Sequence, residues 1–227
     1  MVFLEKFVTN KTLNTKLFDS DSNLLPEVRE KLLEIANYFA EYSDVTIPIL
    51  DIYIVGSNAS YNYTPTSDID LHIITNYELV EAPEKILEAL YNFQKSAFND
   101  EYDITIHGLE VELYVEDVNN SSAVSNGVYS VYKDEWVKFP KRIIAQSYNF
   151  DSVLPKWRET VTAVCENGSL QDVTILLNRI YMMRKESILK DGEFGKGNQL
   201  FKDLREEGLI QELKDKLTEL TSKKLSI

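Results

Sequence analysis

The sequence predicts an α/β chain of the α+β kind: an N-terminal helix, a small mixed β-sheet core with flanking helices, and a C-terminal helical subdomain. Two observations carry that expectation. Up to about residue 150, β-rich runs alternate with helix-period stretches, whereas from Leu154 the apolar spacing is helical only. The charge divides at the same place: residues 1–150 hold 11 Lys+Arg against 24 Asp+Glu, and residues 151–227 hold 13 of each. The expected domains are therefore a core over 1–150 and a helical subdomain over 151–227.

The elements follow in order. Over 26–42, Val28, Leu32, Ile35 and Phe39 recur at helical spacing behind Pro26, which suits a first turn. "IPILDIYIVGS" is a β-rich run ending at Gly56, and "SDIDLHIIT" is a second strand. Residues 82–98 predict a helix through Ile86, Leu87, Leu90 and Phe93. "DITIHGLEVELYVED" predicts two strands turning at His107-Gly108. "GVYSVYKDEWVKFP" predicts another short β segment. Helices are expected near 155–166, 170–190, 197–206 and 208–222. They are broken at Asn167-Gly168 and at the cluster Gly192, Gly195, Gly197.

Composition narrows the classes of function. No apolar run reaches the roughly 18 residues of a membrane span. The opening "MVFLEKFVTN" places Glu5 and Lys6 inside its apolar stretch, which makes a poor leader. Cys165 is the only cysteine, so no disulfide framework or cysteine metal cluster is expected. The expectation is a cytoplasmic protein. A net charge of −13 repels polyanions and argues against extended nucleic-acid binding.

The chemistry concentrates in "VGSNASYNYTPTSDIDLHII", residues 55–74. Strand alternation puts Asp68, Asp70 and His72 on one face and Ile69, Leu71 and Ile73 on the other. Unpaired carboxylates are costly to bury, so this face must meet water or a cation. Hard divalent ions take such oxygens. "LEVELYV" adds Glu110, Glu112 and Tyr114 on one face of a further strand. Gly56 lets a phosphate approach the backbone, and Ser57 adds a hydroxyl donor.

The ordered set Gly56-Ser57, Asp68-Ile-Asp70 and Val111-Glu112-Leu113 resembles the nucleotidyltransferase superfamily of DNA polymerase β. More narrowly, "GSNASYNYTPTSDIDLHI", "VELYVED", "GVYSVYKDEWVKFP" and "GNQLFKDLREEGLI" are similar to a set of predicted nucleotidyltransferases carried by bacteriophages. That resemblance implies two Mg²⁺ or Mn²⁺ ions on Asp68, Asp70 and Glu112. It further implies transfer of a nucleotidyl group from an NTP to a hydroxyl with release of pyrophosphate, in the host cytoplasm if phage-encoded. The acceptor would be a small molecule, a nucleotide or a protein side chain. Many members carry a basic residue soon after Gly-Ser; this loop has none. Cations for the triphosphate are then sought in the helical part, at Tyr181, Arg184 and Lys185, which are helical neighbours, and at Lys196, with Lys202 and Arg205 nearby.

Plainer readings compete with these. Ser57 could serve as a simple cap, His72 as a hydrogen-bonded bystander, and the Tyr181 face as packing with snorkelling stems. Asp19, Asp21, Asn23 and Glu30 match calcium-loop positions, but Leu24 stands where Gly is needed, so a turn into the first helix is expected. The competing function is a catalytically inactive nucleotidyltransferase-fold binding or regulatory protein in phage–host interaction.

Overall fold

Alternating apolar residues build one six-stranded sheet. Its strands are β1 (Asp51–Val55), β2 (Ile69–Thr75), β3 (Thr105–Ile106), β4 (Leu109–Asp117), β5 (Val128–Ser130) and β6 (Glu135–Lys138). They lie in the order β3-β4-β2-β1-β5-β6. The pair β2·β4 is parallel, and the remaining neighbours are antiparallel. This is a computed structural model, and it describes residues 9–43, 47–119, 125–143 and 148–226. Residues 1–8 of the opening stretch weighed above as a leader lie outside the described residues.

One sheet face is apolar throughout: Ile52, Ile54, Ile69, Leu71, Ile73 and Leu113 are fully buried. Helix α1 (Pro26–Tyr42) lays Leu32, Ala36 and Phe39 into the same core, and α2 (Glu84–Glu101) adds Leu87, Tyr91 and Phe98. Phe39 and Phe98 meet edge to face at 5.1 Å. Each such side chain contributes about 1.5–3 kcal/mol of burial. The parallel pair needs a long crossover, and α2 lies within it. The turn at His107-Gly108 has φ of +50° and +73°, the two left-handed positions of a type I′ hairpin. The segment expected as one short β run is a hairpin, β5–β6, with Asp134 at φ +58° in its turn.

The second part is all helix: α3 (Leu154–Asn167), α4 (Leu170–Asp191), α5 (Lys196–Glu206) and α6 (Leu209–Leu225). Its core gathers Val161, Val173, Leu177, Ile180, Leu204 and Leu213. Ser169 caps α4 in a reciprocal box with Asp172, which satisfies donors that a helix start leaves orphaned. Ser187 Oγ accepts the Gly197 and Asn198 amides at 3.0 and 3.1 Å. A Cβ on Gly195 would meet that Oγ at 2.3 Å, so the glycines of the break permit this close seat. The chain divides into two compact units, residues 1–145 and 146–227. Among the described residues no helix is long and apolar enough to cross a membrane.

Candidate functional site

Register, more than sequence proximity, brings the acidic residues together. In the parallel pair β2·β4, Asp70 stands directly opposite Glu112, and in the antiparallel pair β1·β2 it stands opposite Val55. Neighbouring strands are about 4.8 Å apart, so both carboxylates rise side by side from the face opposite the core. Asp68 lies one residue before β2 begins and is exposed. It therefore belongs to the end of the loop and not to the paired strand. Glu110 is exposed and pairs with Thr105 of the short edge strand, whereas Glu112 is half-buried. Asp68, Glu110 and Glu112 line a cleft of about 470 Å³ with Asn99, Asp100 and Asp103.

Gly56 ends β1 at φ +69°, and a Cβ there would sit 1.9 Å from Asp70 Oδ2. Only glycine accepts both the left-handed backbone and that contact. Ser57 follows in a turn, where its carbonyl accepts the amide and hydroxyl of Ser60 at 3.1 and 3.0 Å. Asn58 is fully buried. Its Nδ2 donates to the carbonyls of Ser67 and Asp68 at 2.9 and 2.7 Å, and its Oδ1 accepts from Asn14 Nδ2 at 2.7 Å. One amide thus ties the two ends of the loop together just before Asp68.

Tyr114 reports the combined field of the three carboxylates. Burial first, then a hydrogen bond to Glu112, then the charges of Glu112, Asp70 and Asp68 push its phenol far above the usual tyrosine range. The His72 ring packs against it at 4.8 Å. His72 Nδ1 lies 3.1 Å from Glu116 Oε1 without hydrogen-bond alignment. The donor set of Asp68, Asp70 and Glu112 is all oxygen and fits a hard divalent ion by chemistry. The Gly56 surface keeps the space beside Asp70 clear of a Cβ. Among the described residues, no group of three or more His, Cys, Asp or Glu side chains already converges as a metal cage.

The other expected residues lie in the second unit. Tyr181, Arg184 and Lys185 share one face of α4 and line a recess of about 380 Å³ with Ile188 and Leu189. Arg184 stacks over the Phe201 ring at 4.5 Å, and Tyr181 packs on the same ring. Lys196 opens α5 with its ammonium 5.7 Å from the Tyr148 ring. The acidic loop Asp19–Asn23 is a turn: Asp19 Oδ1 accepts the amides of Asp21 and Asn23 at 2.9 and 2.8 Å.

Sequence reasoning gave no role to three residues. Tyr114 was visible by alternation beside Glu112. Asn58 had only its place after Gly56-Ser57, and Asn14 had no signal, being 44 positions away. Among curated proteins none matches this chain. The span that carries Gly56, Ser57, Asp68, Asp70, Glu112 and Tyr114 does have a counterpart: residues 32–133 match the family model of the nucleotidyltransferase domain.

Proposed function

We propose that the protein is a metal-dependent nucleotidyltransferase that moves a nucleoside monophosphate from an NTP to a hydroxyl acceptor. The carrying observation is the direct pairing of Asp70 with Glu112, with Gly56 pressed against the Asp70 carboxylate. The family match over 32–133 supports the same reading.

Asp68, Asp70 and Glu112 would hold Mg²⁺ or Mn²⁺ ions. When bound, such ions supply charge neutralisation at the triphosphate and acidify the acceptor hydroxyl. Gly56 and Ser57 present the end of β1 to the phosphates. Asn58 fixes the backbone that carries Asp68. Tyr114 orients Glu112 through its phenol. The acceptor oxygen forms a bond to the α-phosphorus while the bridging oxygen to the β-phosphorus leaves with pyrophosphate, and the acceptor's proton passes to solvent. Tyr181, Arg184, Lys185 and Lys196 stand as the helical unit's candidate nucleotide-binding residues. A small molecule, a nucleotide or a protein side chain suits the acidic surface better than a long polynucleotide. If the chain is phage-encoded, the reaction would run in the host cytoplasm.

Incubation with each labelled NTP, Mg²⁺ or Mn²⁺ and candidate acceptors tests this. Pyrophosphate release that disappears in Asp70→Asn is the expected result. A second reading, a binding or regulatory protein that keeps the fold, is favoured by the loop after Gly56, which carries no Lys or Arg before Asp68. Nucleotide binding without turnover under any of these conditions would select it.

A further inference from the structure

We infer that Lys95 on α2 is the cation that receives the NTP polyphosphate, taking the part that the loop after Gly56 leaves unfilled. This rests on the nucleotidyltransferase reading above. Between Lys31 and Lys133 the chain has only two Lys or Arg residues, Lys85 and Lys95. Ions held at the corner are largely offset by the carboxylates that hold them, so a bound triphosphate still needs positive charge from the protein.

Geometry separates the two lysines. Asn99 clamps α2 to the edge of β4: its Nδ2 donates to Leu113 O at 3.2 Å, and its Oδ1 accepts from Leu113 N at 3.3 Å. Lys95 lies one turn earlier, four residues back and so on the same helix face. Its half-buried chain brings Nζ to 3.8 Å from the centroid of the Tyr114 ring. The phenol of that ring is hydrogen-bonded to Glu112. Lys85 sits exposed in the first turn of α2, ten residues away.

The charge of Lys95 is also uncommitted. Among the described residues no carboxylate oxygen comes within 4.0 Å of it. By contrast Lys133 pairs with the buried Asp51 at 3.0 Å, and Arg29 with Asp134 at 3.5 Å. A ring quadrupole holds an ammonium without neutralising it. The three N–H donors stay available, and a lysine suits phosphate oxygens as a compact point charge. A lysine whose task was only to quiet the acidic corner would be expected to close onto a carboxylate.

Titration calorimetry on the full chain tests the assignment, with a non-hydrolysable NTP and Mn²⁺ against wild type, Lys95→Gln, Lys95→Arg and Lys85→Gln. We expect Lys95→Gln to weaken triphosphate binding roughly tenfold, or 1.4 kcal/mol. Lys95→Arg and Lys85→Gln should stay near wild type. The corresponding NMP should bind both wild type and Lys95→Gln alike, and Mn²⁺ alone should bind Lys95→Gln at least as tightly as wild type. Equal triphosphate affinity in wild type and Lys95→Gln overturns the assignment, as does an equal loss for NMP and NTP. If wild type itself binds no NTP with metal, the nucleotidyltransferase reading fails and this inference falls with it.

Discussion

At residue scale, Gly56 is the tightest constraint at the site. An alanine there must hold φ near +69°, which costs about 1–2 kcal/mol, and its methyl group displaces the Asp70 carboxylate. Gly56→Ala should therefore lower the melting temperature and also abolish the added stability that Mn²⁺ plus NTP gives wild type, both read in one thermal-shift series. Glu110 and Glu112 make a sharper contrast. Glu112 stands opposite Asp70 and bonds Tyr114; Glu110 is exposed beside the edge strand. Glu112→Gln should reduce pyrophosphate release by orders of magnitude, and Glu110→Gln should keep most of it. The reverse ranking in initial rates would move the third ligand to Glu110. These acids were legible because each interrupts a strand whose other face is apolar. Asn58 and Asn14 were not, since a buried amide bridging distant loops leaves no periodic trace.

At the scale of elements, the Asn58 amide joins the two ends of the 56–68 loop. Asn58→Ala leaves the Ser67 and Asp68 carbonyls and the Asn14 side chain without their partner. The cost is about 1–3 kcal/mol for each buried group left unsatisfied. Denaturant midpoints should fall accordingly, and Mn²⁺ affinity should fall further than in an equally destabilised core variant. In the helical unit the N-terminal box of α4 gives a pH test. The Ser169 side chain, then its backbone amide, bonds the Asp172 carboxylate and holds it below its ordinary value of 3.8. A depressed folded pKa means that the contribution is complete above 3.8 and lost as pH falls through the lowered value. Protection of the first-turn amides of α4, relative to their intrinsic exchange, should fall in acid, and Ser169→Ala should remove that acid-dependent step. Helix and strand positions were readable here because periods of two and 3.6 survive in sequence. The pairing of β2 with β4, which sets the site, is a long-range choice that local pattern does not encode.

At the scale of the whole molecule, the net charge of −13 sets the long-range field. Filter binding at physiological salt should detect weak affinity at best for generic DNA or RNA. Sub-micromolar binding would argue for a polynucleotide acceptor. The division of charge at about residue 150 was legible by counting, while the separate cores needed coordinates. Trp136 stacks on Phe18 at 5.1 Å, and its indole N–H bonds Ser22 O across 114 positions. The Tyr129 hydroxyl accepts the Leu24 amide across 105. During synthesis, then, the segment that backs the 56–68 loop emerges early and waits for the last hairpin of its own unit. A ribosome stalled before Tyr129 would display Phe18 and the α1 face bare, a natural target for a chaperone, and the acidic corner would gain its full support only as the sheet closes.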